Sequence, residues 1–262
     1  MSVHISTRGQ GTRVIALHSG GMSGRQWRRL SERLEGGHRI LLPDFLGSGE
    51  NPPWSDDADF HWGMDADVVE EILLADDGRA HLVGHSYGGL IAVTVAQRHP
   101  EAVRSLVVYD PVAMGIVHAA GDAEAIADLA RTDVRTVDDA HGGGEAWLTA
   151  FVDWWNGPGA WTSLPAPTRD AFLRVGRKVY YEVRSLLSDR TPAGAYARVT
   201  APALVLSGER SPLAARRVGA LLAAAMPHGR QQTIAGAGHM GPITHAGEVN
   251  EAIAAHIAAA AE

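Results

Sequence analysis

Residues 84–88 read Gly84-His85-Ser86-Tyr87-Gly88, directly after the apolar stretch His81-Leu82-Val83. Glycine two places before and two after a serine is the pattern of a strand that turns sharply into a helix with the serine at the apex. Such a corner strains the serine backbone and crowds the residues two places away, where a side chain without Cβ fits. The turn lifts the Ser86 hydroxyl clear of the sheet and aims the Tyr87 backbone N–H at the same point. Five residues of this kind also occur by chance, and a glycine-rich turn can be merely structural. Here the strand stands before the motif and the helical run Leu90–Gln97 after it, ended at His99-Pro100 where proline cannot continue a helix. That order points to acyl-transfer chemistry at Ser86.

A serine nucleophile needs a base with a pKa near neutrality. Of the 13 histidines, His239 lies in Gly236-Ala237-Gly238-His239-Met240-Gly241, in the loop expected after the last strand. Flanking glycines let an imidazole reach over the sheet edge, and a histidine after serine and acid in chain order fits the same chemistry. The competing reading is a surface histidine on a loop. His85 is one residue off the apex and is expected to point away. His18 ends a strand and reads as structural, and His245 as a helix-start residue. An unperturbed base at His239 predicts an acid limb in the pH profile near ~6.5–7.

Two N–H donors are needed to hold an oxyanion. Tyr87 supplies one, and the other is expected from His18-Ser19-Gly20-Gly21, with Gly20 the first choice because glycine lets backbone approach a ligand closely. Gly21 and Met22 are the alternatives, and a flexible turn is the competing reading.

These residues must be held by surrounding elements. Strand-like runs cover Thr12–His18, Arg39–Leu42, His81–Val83, Val103–Tyr109, Ala203–Ser207 and Gln232–Ala235. Helical patterns cover Ser23 onward (Trp27, Leu30, Leu34), 65–76, Leu90–Gln97, the segment from Ser211-Pro212, and the last helix with Val249, Ile253 and Ile257. Residues 45–63 read as a loop. Alternating strands and helices predict an α/β fold with a mostly parallel sheet covered on both faces. Residues 112–198 break the alternation as an inserted helical cap, leaving 1–111 and 199–262 as the core. The insertion holds nine of the 16 Phe, Tyr and Trp residues. Most are expected to pack its own interior, with Trp154, Trp155 and Trp161 as candidates for the walls of a substrate pocket.

Composition narrows the class. The net charge is −7 and the 23 basic residues, of which only Lys178 is lysine, are scattered, so nucleic acid is not an expected partner. With no cysteine, disulfides and thiol catalysis are excluded. No histidine–carboxylate spacing suggests a metal site, and no cofactor is implied. No signal-peptide pattern or membrane-length apolar run is visible, so a cytoplasmic protein with a small-molecule substrate is expected. The oligomeric state is left open.

Four segments together resemble the α/β-hydrolase superfamily over nearly the whole chain: His18-Ser19-Gly20-Gly21, Asp44-Phe45-Leu46-Gly47-Ser48-Gly49, the Ser86 turn, and Gly238-His239. The resemblance implies the α/β-hydrolase fold, its serine-nucleophile branch, and a loop-ordering role for Asp44. Ser19 departs from the glycine usual after His18. The acid also departs, because most relatives place an aspartate where this chain has Ser211. Glu209 is nearby but two residues short of that slot, where it reads as loop-ordering. Asp110, at the end of the preceding strand, matches the acid position of another branch and is preferred. The expected function is a serine hydrolase cleaving a small ester or lactone with Ser86, His239 and Asp110. A carbon–carbon bond hydrolase using the same three residues is the alternative, and a ligand-binding receptor on a hydrolase scaffold the second.

Overall fold

The computed structural model describes residues 3–55, 59–76, 78–131 and 139–260. Parts of the expected 45–63 loop and 112–198 insertion lie outside the described residues.

Seven strands form one sheet: β1 (Ile5–Arg8), β2 (Thr12–Leu17), β3 (His38–Pro43), β4 (Ala80–His85), β5 (Val103–Tyr109), β6 (Ala203–Gly208) and β7 (Gly229–Ile234). Their order is β1-β3-β2-β4-β5-β6-β7. All pairs are parallel except β1 with β3, so an antiparallel edge strand closes an otherwise parallel sheet. In such a sheet both faces must be covered, and alternate side chains go to opposite layers. Ile15 and Leu17 of β2 pack in the layer that includes Leu82, Leu106, Val108 and Val205. Val14 and Ala16 pack in the other, with Val83, Val107, Leu204 and Leu206.

The first layer is covered by α2 (Gly63–Leu74), α3 (Tyr87–Arg98) and α9 (Leu213–Ala225). The second is covered by α1 (Arg28–Leu34) and the last helix, α10 (Ala246–Ala259), through Leu30, Leu34, Val249, Ile253 and Ile257. The i, i+4 apolar spacing read in the last helix is therefore the stripe that meets the sheet.

Several boundaries shift by one to three residues from the sequence reading, and two of the shifts have a structural cause. Strand β7 begins at Gly229, three residues before the expected start, because it is an edge strand whose Arg230, Gln231, Gln232 and Thr233 are exposed and carry no apolar signal. The helix read as starting from Ser211-Pro212 has Pro212 at its N-cap position and begins at Leu213, and the Ser211 hydroxyl bonds away from the helix.

Between β5 and β6 the chain forms α4 (Gly115–Ala120), α5 (Ala123–Ala130), α6 (Glu145–Asn156), α7 (Ala160–Ser163) and α8 (Ala166–Leu186). Trp147 stacks on Phe151 at 5.2 Å and meets the edge of Tyr180 at 5.5 Å, joining α6 to α8. The loops after β4, β5, β6 and β7 all leave from the C-terminal edge of the sheet, where groups from separate strands converge in open α/β folds.

Candidate active site

Ser86 begins α3 with φ 54° and ψ −114°, a strained conformation for a residue with a Cβ. The glycines on either side are required by space. A Cβ on Gly84 would lie 2.3 Å from the Gly88 carbonyl oxygen, and one on Gly88 would lie 2.4 Å from that of Leu17. The Ser86 N–H still donates to the Tyr109 carbonyl at 2.9 Å, so the turn stays anchored to the strand that delivers Asp110.

His239 follows β7, and its Nε2 lies 3.0 Å from the Ser86 Oγ. Its Nδ1 faces Asp110 Oδ2 at 3.4 Å. The carboxylate takes the Nδ1–H, which leaves Nε2 to accept the serine proton. Asp110 is the second non-glycine residue with positive φ, 41°, a conformation that aspartate tolerates better than most. The structure thus brings Ser86, His239 and Asp110 into one hydrogen-bonded chain. Glu209 is outside it: exposed, it accepts the Gly236 N–H at 2.7 Å and ties down the start of the histidine loop.

Ser211, in the slot where an acid was sought, donates its hydroxyl to Asp110 Oδ2 at 2.5 Å. Burial pushes the Asp110 carboxyl up to about 7 and the Ser211 hydrogen bond opposes that push. Burial likewise pulls the His239 imidazole down to about 3, well below the ordinary value expected from sequence. The cause is visible above the ring. Trp155 of α6 stacks on the imidazole with centroids 3.6 Å apart and planes 19° apart, and it shuts out water.

A relay unseen in the sequence joins the two loops flanking Ser86. His85 points away from the serine, as expected, and donates from Nε2 to the His239 carbonyl at 2.8 Å. Its Nδ1 therefore accepts, from Gln26 Nε2 at 3.1 Å. The Gln26 carbonyl in turn accepts the Ser19 N–H at 3.0 Å and the Ser19 hydroxyl at 3.1 Å. Burial keeps His85 neutral, with its pKa lowered to about 3, and the relay needs that single tautomer. Tyr109 adds a bond from its hydroxyl to the Gly238 carbonyl at 2.7 Å. Only the position of His85 beside the apex hinted at this; Gln26 carried no signal.

His18 is fully buried and holds its own loop. Its Nδ1 donates to the Ser19 carbonyl at 2.8 Å and its Nε2 accepts the Phe45 N–H at 3.1 Å. Asp44 accepts the N–H groups of Gly24 and Glu50, the loop-ordering role the resemblance implied. In the loop after β2 the Ser19 N–H is taken by Gln26 and the Met22 N–H by the Ser19 carbonyl. Gly20 lines the cavity beside Ser86, as does Tyr87, whereas Gly21 turns to Phe172.

That cavity encloses about 580 Å³. Its walls are mainly apolar, with Met114, Phe151, Trp154, Trp155, Phe172 and Met240 among them. Trp161 is buried against Phe172 at 6.3 Å and does not line the cavity. Of the three tryptophans singled out from sequence, two form its wall and the third packs the helices behind. A buried hydroxyl hydrogen-bonded to a carboxylate-backed imidazole, opening into an apolar cavity, is equipped for nucleophilic attack on a carbonyl. Among the described residues no cluster of His, Asp and Glu is arranged to hold a metal ion, and no helix is long and apolar enough to cross a membrane.

The chain belongs to the alpha/beta hydrolase fold family, whose model matches residues 12–246. Among curated proteins it is 34% identical over 107 residues to a pimeloyl-[acyl-carrier protein] methyl ester esterase of Aeromonas salmonicida, a match covering 41% of each chain. The match thus spans about two fifths of that relative's length. Over 260 residues, 98% of each chain, it is 28% identical to the esterase of the same name from Chromobacterium violaceum. Among solved structures, a thermophilic esterase from Thermogutta terrifontis superposes with a TM-score of 0.76 at 18% identity, covering 98% of this chain and 93% of that one. At that identity the superposition shows the fold alone.

Proposed function

We propose that this chain is a serine hydrolase that cleaves a small carboxylic ester or lactone through an acyl-enzyme on Ser86. The observation that carries the reading is the 3.0 Å contact between His239 Nε2 and a Ser86 hydroxyl held at a strained apex, with Asp110 behind the imidazole. The names of the relatives, ester hydrolases matched over part or all of the chain, support ester over carbon–carbon bond cleavage.

In the first half-reaction Ser86 Oγ attacks the carbonyl carbon while its proton passes to His239 Nε2. The Tyr87 and Gly20 backbone N–H groups hold the resulting oxyanion. Asp110 holds the imidazole in the required tautomer and stabilises it once charged. His239 then protonates the departing alkoxide oxygen, and the C–O bond breaks. In the second half-reaction water gives its proton to His239, attacks the acyl carbon, and Ser86 leaves with that proton restored. The helices between β5 and β6 act as a cap, with Trp155 excluding water from the base.

A fluorophosphonate probe tests this directly. Mass spectrometry is expected to find one adduct, on Ser86, and Ser86→Ala is expected to lose both labelling and turnover of aryl and alkyl esters. An adduct elsewhere, or turnover retained in Ser86→Ala, overturns the mechanism. A protein that binds the esters without cleaving them would instead be a receptor.

A further inference from the structure

Glu182 is the one Asp, Glu, Lys or Arg side chain among the described residues lining the cavity. It sits on α8 and is only 2% exposed. Its Oε1 accepts from Lys178 Nζ at 2.7 Å, an i, i+4 pair on the same helix. Lys178 also binds Asp65 Oδ2 at 3.0 Å. Asp65 is filled from two further directions, by the Tyr87 hydroxyl at 2.7 Å and the Leu46 N–H at 2.9 Å. One ammonium therefore serves two buried carboxylates.

The remaining oxygen of Glu182, Oε2, takes no hydrogen bond from the described residues. It is turned toward Gly20, 2.6 Å from where a Cβ on that residue would stand. Gly20 is the proposed oxyanion donor, so Oε2 stands beside the point where a substrate carbonyl would bind. Burying two carboxylates and an ammonium costs several kcal/mol per ion before pairing is counted, and apolar side chains of similar volume would hold α8 equally well. A carboxylate oxygen left without a donor in an apolar cavity adds to that cost and is satisfied when a ligand brings one.

We propose that Glu182 is a specificity-determining residue: Oε2 accepts a hydrogen bond from a hydroxyl or amine on carbon 2 or 3 of the acyl group, and a carboxylate there is turned away. This rests on the hydrolase reading above and names the substrate class of the same site, an uncharged or cationic acyl ester with a donor close to the scissile carbonyl. A donor to a charged acceptor in a dry site is worth about 10–100-fold in specificity. A substrate carboxylate adds a third negative charge to those of Asp65 and Glu182, with the Lys178 ammonium already engaged and no Arg or Lys among the described lining residues to pair with it.

The test is a matched series: ethyl butyrate, both enantiomers of ethyl 2-hydroxybutyrate and ethyl 3-hydroxybutyrate, and monoethyl succinate. With the wild-type protein at least one hydroxy ester is expected to exceed ethyl butyrate in kcat/KM by about 10-fold or more, and the half-ester to fall below it by a similar factor. In Glu182→Leu and in Glu182→Met, both of which leave the Lys178 ammonium paired with Asp65, both ratios are expected to collapse toward one. The wild-type ratios do not depend on either variant folding. Turnover of ethyl butyrate with no hydroxyl preference and no carboxylate penalty overturns this inference alone, as does a preference that survives the loss of Glu182. Absence of turnover across the whole series overturns the hydrolase reading and this inference with it.

Discussion

Replacing Asp110 by Asn removes one charge and leaves the shape. The magnitude follows from the distance of the lost charge to the base. Asp110 Oδ2 lies 3.4 Å from His239 Nδ1. At an effective dielectric of about 20, a unit charge at that distance stabilises an imidazolium by about 5 kcal/mol. At ~1.36 kcal/mol per decade this predicts a loss of about 10³–10⁴-fold in kcat. The asparagine amide also presents N–H to Nδ1, which forces the proton onto Nε2, where it faces the Ser86 hydroxyl and cannot accept from it. Ground-state binding is untouched, so KM should change little. The assay is steady-state hydrolysis of a simple ester by wild type, Asp110→Asn and Glu209→Gln, each checked by thermal unfolding. Glu209→Gln keeps an acceptor for the Gly236 N–H and should stay within a few-fold of wild type. If Glu209→Gln loses activity as described and Asp110→Asn does not, the charge behind His239 comes from the loop after β6. Asp110 is then a structural carboxylate.

The pH dependence follows from burial under Trp155. Burial lowers the His239 pKa, so the imidazole, followed by NMR through its ring protons, should stay neutral as pH falls through 6.5. Trp155→Ala admits water to the ring and should move that titration upward toward ~6.5; a ring that titrates at the same pH in both proteins refutes the role of the tryptophan. Gln26→Leu removes the acceptor for two Ser19 donors and one arm of the relay to His85. It should cost about 1–3 kcal/mol in denaturant unfolding and lower kcat, and unchanged values for both would show the relay idle. The roofed cavity of about 580 Å³ should favour short or cyclic acyl groups, so rates in a p-nitrophenyl ester series should fall well before palmitoyl. A steady rise to palmitoyl would show an open groove.

The amino-acid sequence by itself determined the features that arise from local demands. Gly84 and Gly88 are legible because a Cβ at either would strike backbone, and steric exclusion of that kind leaves its mark within five residues. The strands β2, β4, β5 and β6 are legible because both faces are buried and each carries an apolar run. Asp110 and His239 are legible as candidates because one directly follows a strand and the other lies in a loop after one, at the sheet edge where Ser86 must also stand.

The tertiary structure decided whatever depends on which distant side chain fills a space. Edge strand β7 begins earlier than its apolar residues do, since an edge needs no apolar pattern on its open side. The Ser211 hydroxyl goes to a carboxylate 101 residues away in place of the helix end beside it. Neighbouring aromatic residues Trp154 and Trp155 face the cavity, whereas Trp161 is buried behind it, a division set by the packing of α6 against α8. Lys178 is the sole lysine, and composition showed it only as one of the scattered basic residues. It lies 2% exposed between Asp65 and Glu182, 113 residues and one helical turn away respectively. A buried charge is tolerated only where partners converge in three dimensions, and sequence spacing carries no record of that convergence.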